Sequence, residues 1–360
     1  MAGGELRNGP DRPLDPFGHI FPRVTLYLRR KILVMAIRAG PDPAKRCTGA
    51  TMLIDIALVA VGLLALFAGG EWLVRGAVAL AARLGLPTLI ISLTVVGFGT
   101  SMPELLVSLR AALADQADIA LGNVVGSNTA NILLIIGLSA LVSPMTQWDN
   151  AVKRDAVVMV CVALVALTLV QFAQIGRPSG LLMVTFLATY LAVSYIAGKK
   201  AGDTGELEET PDISSIWTAI YLVAGLAVLF LGAEAMIRGA AGMARAFGIT
   251  EAVIGLTIVA VGTSLPELAT SLVAAFRRQS DIAIGNVVGS NIFNILGILG
   301  ITAVVTPVGV AENFARFDVP VMLGASLVFA VILVAGRTIG RPIALGLLVC
   351  YGAYMCALFG

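Results

Sequence analysis

The sequence predicts an all-α polytopic membrane protein of ten transmembrane helices, arranged as two inverted five-helix repeats. Three observations carry that prediction. The chain is 58% hydrophobic and only 13% charged, with a mean hydropathy of +0.94, whereas soluble domains carry about a quarter charged residues. Its apolar runs have the length, about 20 residues, that a helix needs to cross a hydrocarbon core of about 30 Å. Finally, a long stretch of the first half, polar residues included, recurs in the second half.

Taken in order, the apolar runs fall near 53–70, 86–110, 118–143, 156–175, 179–197, 216–233, 250–276, 282–305, 317–335 and 341–359. The loops between them are short and leave no room for a second, soluble domain. Residues 52–198 form the first repeat, 199–215 an acidic linker containing "DTGELEETPD", and 216–360 the second repeat. The linker is too short for a folded regulatory domain and reads as a solvated connection. Residues 1–51 form an N-terminal extension with nine Lys and Arg and no apolar core of the kind a signal peptide needs. Two readings account for the extension. "RVTLYLRRKILVMAI" is an interfacial basic amphipathic helix, or Met52 is the true start; the sequence favours the second.

The repeat is specific. Thr94–Asn131 and Thr257–Asn294 align without a gap at a constant offset of 163, with 24 of 38 positions identical. The same offset carries Glu71/Arg75 onto Glu234/Arg238 and Asp155 onto Asp318. Two merely apolar helices would not match at their polar residues, so the chain is an internal duplication. Five spans per half, an odd number, force the second half to enter the membrane upside down, the arrangement in which transporters place a site at mid-membrane between the halves. With both termini outside, the inner loops hold Arg75, Arg83, Lys153, Arg154, Lys199, Lys200, Arg277, Arg278, Arg337 and Arg341. The outer loops hold Arg110, Arg177, Arg238, Arg245 and Arg316. That excess of inner positive charge predicts termini outside, and only the basic extension pulls the other way.

The chemistry concentrates in "GTSMPEL" and "GTSLPEL". Glu104 and Glu267 lie near the middle of long apolar spans, where a carboxylate costs about 3 kcal/mol and so marks an ion or proton path. Pro103 and Pro266 withhold the backbone donor that the Gly99 and Gly262 carbonyls would otherwise receive, and free carbonyls at that depth are tolerated only around a cavity. Helical spacing puts Thr100 and Ser101 on one face with Glu104, and Thr263 and Ser264 on one face with Glu267. In the following helices Asn123, Ser127 and Asn131, and their copies Asn286, Ser290 and Asn294, recur every fourth residue. Two carboxylates, many neutral oxygens and no nitrogen or sulfur donor suit hard cations such as Ca²⁺ or Na⁺, without fixing which. Two Glu charges balance one Ca²⁺ or most of the charge of two or three Na⁺, which is what exchange requires.

The remaining polar residues receive quieter readings. Glu71/Arg75 and Glu234/Arg238 are ion pairs at span ends, and Asp118 and Asp281 are helix N-terminal charges. Cys47, Cys161, Cys350 and Cys356 form no CxxC pair and read as buried free thiols. With one histidine, His19, no HExxH, no phosphate loop and no nucleophile–base pair in the spans, no enzyme chemistry is expected. No cofactor and no nucleic-acid partner is expected either; the partners are the lipid bilayer and the cations, and the sequence is silent on oligomeric state.

The paired motifs "GTSMPEL…GNVVGSNTAN" and "GTSLPEL…GNVVGSNIFN" resemble the two alpha-repeats of the sodium/calcium exchanger family, within the calcium/cation antiporter superfamily. The likeness runs from about Met52 to the C-terminus and is greatest to the compact prokaryotic members. It implies electrogenic antiport of Ca²⁺ against several Na⁺ in a prokaryotic inner membrane. Glu104 and Glu267 would bind the ions, with oxygens from Thr100, Ser101, Thr263, Ser264, Ser127, Ser290, Asn131 and Asn294. Among these, Glu104, Glu267, Thr100 and Thr263 would be the Ca²⁺ ligands. It also implies that the first and sixth spans slide across this core to expose it alternately, a movement "GG" at 69–70 would ease. Some relatives carry aspartate where this chain has Asn294, and the amide is associated with potassium-independent exchange. The proton-coupled branch has a glutamate after its GN motif, absent here. The alternatives are a Ca²⁺ or other divalent cation/H⁺ antiporter and a passive cation channel.

Overall fold

The computed structural model describes residues 49–86, 88–146, 148, 150–201, 214–248 and 260–359. The N-terminal extension up to residue 48, the acidic linker from 202 to 213 and the first part of the predicted span 250–276 therefore lie outside the described residues. Residues Met52–Gly360 form one compact unit.

Its helices are α1 (Gly49–Leu84), α2 (Leu89–Thr100), α3 (Met102–Leu113), α4 (Ala117–Val142), α5 (Asn150–Leu169), α6 (Arg177–Ala201), α7 (Ser215–Ala246), α8 (Ala260–Thr263), α9 (Leu265–Phe276), α10 (Ser280–Val305), α11 (Phe314–Val334) and α12 (Arg341–Phe359). By length and apolar composition, seven of these cross a membrane singly, and the bent pair α2–α3 makes an eighth span among the described residues. Helix α5 opens on Lys153, Arg154 and Asp155 in its first turns, and α9 has only 12 described residues.

Two spans outrun their sequence-predicted ends. Helix α1 has 36 residues and α7 has 32, about 54 and 48 Å at 1.5 Å per residue, so each is longer than the hydrocarbon core is thick. The charged pairs expected at span ends instead lie inside these helices. Arg75 Nε donates to Glu71 Oε1 at 2.7 Å, and Arg238 pairs with Glu234 in the same way. Pairing one turn apart satisfies both charges along the helix, so neither ends it.

Helices α1 and α7 cross backbone to backbone. A Cβ at Gly62 would sit 2.8 Å from the Gly232 carbonyl oxygen, and one at Gly69 would sit 2.9 Å from that of Gly225. Moving forward along α1 moves backward along α7, so the two copies run antiparallel, as an inverted duplication requires.

Helices α4 and α10 form the centre. Every residue of α10 from Ile282 to Gly300 is buried. Helix α5 packs along its own copy α11, while α6 packs on the far end of α10 and α12 on the far end of α4. Leu64, Leu181, Val223, Leu231 and Val349 are exposed and form the apolar outer face. Cys161, Cys350 and Cys356 are free but exposed, not buried; Cys47 lies outside the described residues. Composition could not tell these apart, because lipid is as apolar as the protein interior.

The all-α expectation misses two small clips. Gln174–Ile175 (β1) pairs antiparallel with Val308–Gly309 (β2), and Met145 bridges Ile339, with mutual backbone bonds of 3.2 and 2.9 Å. Met145 and Val308 are equivalent at the offset of 163, so each half clips a loop of the other. The clips are two residues or fewer, below what alternating patterns can signal.

Candidate cation site

Each half interrupts a helix at the same point. Ser101, between α2 and α3, has φ −85° and ψ 7°, and Ser264, between α8 and α9, has φ −88° and ψ 8°. Pro103 and Pro266 follow two residues later, in the first turn of the next helix, where their missing N–H costs nothing. The Gly99 carbonyl, expected to be free, accepts a backbone N–H at the cap of its helix, because the chain turns at Ser101. The axis bends by 44° from α2 to α3. Immediately upstream, Ser92–Val96 is π-helical, a wider turn that leaves carbonyls off the regular ladder. The broken helices place Glu104 and Glu267 in the first turns of α3 and α9, each 1% exposed.

The break also corrects the expected single helical face. Ser101 does not serve Glu104. It donates to Glu267 Oε1 at 2.9 Å, while Ser264 donates to Glu104 Oε1 at 3.3 Å. Thr100 lies beside Glu267 and Thr263 beside Glu104 in the same crossed sense. Helical spacing fails here because Ser101 itself is not helical, so the three-residue step to the glutamate no longer stays on one side.

The next helices complete the cluster. Ser127 lies 3.3 Å from Ser264, and the Ser290 hydroxyl 3.5 Å from the Gly97 carbonyl, both across the two halves. Close approach of α2 to α10 explains the glycines there: a Cβ at Gly97 would meet the Ser290 nitrogen at 3.2 Å. Asn123 and Asn286 act differently from the others in their rows. Asn123 Nδ2 donates to the Glu104 carbonyl at 3.1 Å and to Ser108 Oγ at 2.9 Å. Asn286 Nδ2 donates to the Glu267 carbonyl at 3.2 Å and to Ser271 Oγ at 3.0 Å. These amides brace the turns carrying the glutamates, and Asn286 Oδ1 accepts from the Thr100 hydroxyl at 3.2 Å.

Four oxygens of the sequence-predicted residues stand out. Glu104 Oε2, Glu267 Oε2, Asn131 Oδ1 and Asn294 Oδ1 are buried and receive no hydrogen bond. Buried acceptors without donors are costly, and two of these four belong to carboxylates. All ten sequence-predicted residues, Glu104, Glu267, Thr100, Thr263, Ser101, Ser264, Ser127, Ser290, Asn131 and Asn294, are buried.

The sequence profile of the sodium/calcium exchanger protein matches residues 54–196 and 217–360. The chain belongs to the sodium/calcium exchanger family. Sodium/calcium exchanger MaX1 of Methanosarcina acetivorans is 32% identical over 348 residues, covering 85% of this chain and 99% of the relative. The inner membrane protein YrbG of Escherichia coli is 36% identical over 290 residues, 78% of this chain and 89% of its own length. The solved structure of the sodium-calcium exchanger NCX_Mj, soaked with 10 mM Na⁺ and 10 mM Sr²⁺, superposes with a TM-score of 0.75 at 29% identity, covering 86% of this chain and 99% of that one. As a sodium/calcium exchanger family member the protein is an integral membrane transporter that exchanges cations.

Fourth-residue spacing passed over Asn128 and Asn291. Both sit inside the repeated "GNVVGSN" at the constant offset, which is the signal that could have found them. In the structure they join the two halves directly: Asn128 Nδ2 donates to the Asn291 carbonyl at 3.2 Å, and Asn291 Nδ2 to the Asn128 carbonyl at 3.4 Å.

Proposed function

We propose that this exchanger moves Ca²⁺ against Na⁺ by alternating access around Glu104 and Glu267. The observation that carries the reading is the set of four buried, donor-free oxygens, two from carboxylates and two from amides. A hard cation supplies what they lack, since Ca²⁺ and Na⁺ take oxygen ligands, with Ca²⁺ using six to eight. Hydroxyls of Thr100, Ser101, Thr263, Ser264, Ser127 and Ser290 supply the further neutral oxygens. The donor set serves one Ca²⁺ or several Na⁺ at two negative charges, and competition for the same oxygens couples the fluxes.

The route to alternating access is a ten-helix pair of inverted repeats, with α2–α3 and α8–α9 as broken second and seventh spans. Because each glutamate is bonded by the other half's serine, a relative movement of the halves changes both glutamates' surroundings together. Helices α1 and α7 meet each other at glycines and form a close pair, and Gly70 of α1 faces Val273 and Ala269 of α9, on the core across which the pair slides. With a chain that starts near Met52, both termini lie outside on the charge distribution of the loops, in a prokaryotic inner membrane.

The deciding experiment loads inside-out and right-side-out vesicles with Na⁺ and measures radiocalcium uptake on dilution into Na⁺-free buffer. Uptake that rises with the Na⁺ gradient is expected. Uptake that follows an imposed pH gradient and ignores Na⁺ would make the protein a proton antiporter, and uncoupled unitary conductance would make it a channel.

A further inference from the structure

The amides of Asn131 and Asn294 each have one end held and one end free. Asn131 Nδ2 donates to Asn291 Oδ1 at 2.9 Å, and Asn294 Nδ2 donates to Asn128 Oδ1 at 3.0 Å. Their Oδ1 atoms are the buried, donor-free ones. The holders belong to the opposite half in both cases, and the holders themselves are fixed on each other's backbone carbonyls. All four side chains are 1% exposed.

An amide presents oxygen or nitrogen to its surroundings depending on a half-turn about its last torsion, and those two ends have opposite polarity. A cation tolerates only the oxygen. An amide that lost its acceptor at the Nδ2 end would no longer be restricted to the orientation that ligates.

Resting on the cation-site reading above, we infer that Asn128 and Asn291 are positioning residues: each holds the amide nitrogen of the other half's Asn, Asn294 and Asn131 respectively, so that its oxygen faces the ion. Neither touches the ion. Each sets the affinity contributed from the opposite half, which makes the two repeats mutually dependent at a level that the glutamates alone do not require.

The pairing is specific, so a double-mutant cycle reads it. Equilibrium binding of radiocalcium to the purified full-length protein is measured alongside vesicle uptake. Asn128→Ala raises the calcium Kd and the uptake KM about tenfold or more, the usual cost of removing a partner that orients a metal ligand. Aspartate has two equivalent oxygens and needs no orienting, so Asn128→Ala adds less than about twofold once position 294 carries Asn294→Asp, whatever Asn294→Asp does by itself. Against Asn131→Asp, whose amide is held by Asn291, Asn128→Ala keeps its full cost. The mirror cycle, Asn291→Ala with Asn131→Asp, behaves the same way and stands as an independent arm. If Asn128→Ala does not accumulate in the membrane, Asn128→Ser is measured in its place, its hydroxyl being too short to reach the Asn294 amide.

A calcium Kd unchanged in Asn128→Ala overturns the inference, as does an equal loss with either aspartate, which is the signature of general packing damage. Wild-type protein that binds calcium but shows no Na⁺-driven uptake overturns the Na⁺ coupling alone, and the binding cycle still decides the inference. Wild-type protein that binds no calcium overturns both.

Discussion

Ser101 of the first half donates its hydroxyl to Glu267 of the second at 2.9 Å, and Ser264 returns the contact to Glu104 at 3.3 Å. Each glutamate is therefore finished by the repeat to which it does not belong.

Neutralising either glutamate removes half the charge that balances the cation. Glu104→Gln and Glu267→Gln should each abolish Na⁺-dependent radiocalcium uptake while the protein still reaches the membrane. Glu71 pairs with Arg75 and with Arg277 away from the cluster, so Glu71→Gln should slow uptake by less than about tenfold, in keeping with a partly exposed ion pair.

Losing the crossed hydroxyl removes one hydrogen bond from a buried carboxylate. A hydrogen bond to a charged group contributes about 1.5–3 kcal/mol, so Ser101→Ala should raise the Ca²⁺ KM roughly ten- to hundredfold, and Ser264→Ala should act in the same direction. Ser101→Thr keeps the hydroxyl and should recover most of the affinity. A KM indifferent to Ser101→Ala would show that the contact has no bearing on the ion.

Proline at the break is expected to matter for transport more than for stability. Pro103→Ala removes the ring from the first turn of α3 and relieves the bend, which favours a continuous helix. Its Tm should be unchanged or higher and its uptake at least about tenfold lower, measured on the same purified and reconstituted sample.

The α1–α7 crossing has no space for a side chain. Gly62→Val places carbon where a Cβ alone would already lie 2.8 Å from the Gly232 carbonyl oxygen and the Met236 nitrogen, so uptake should fall to background. Gly346 of α12 has open space around it, and Gly346→Ala should leave uptake and Tm close to those of the unmodified protein. Equal tolerance at the two glycines would argue against a close crossing.

Much of this was legible in the chain. The duplication was visible because polar residues match at the offset of 163, and Glu104 and Glu267 were visible because a carboxylate stands out against apolar neighbours. Other features were not. The ends of α1 and α7 were set too early because Glu71 and Glu234 read as boundaries, when an i,i+4 arginine satisfies each within the helix. The serines were assigned to the wrong glutamates because helical spacing assumes a helix, and Ser101 and Ser264 are where it breaks. Cys161 and Cys350 were read as buried because apolarity does not separate a core face from a lipid face.

The sequence by itself determined the membrane class, the internal repeat, the family and the set of oxygen-bearing residues. These follow from composition and from identity at a fixed offset, which are properties of the chain order. Only the tertiary structure decided which oxygen meets which: Ser101 with Glu267, Ser264 with Glu104, Asn128 with Asn294 and Asn291 with Asn131. Such pairs lie 160 or more residues apart and form across an inverted duplication. No local spacing encodes them, because they depend on how the second half is turned against the first.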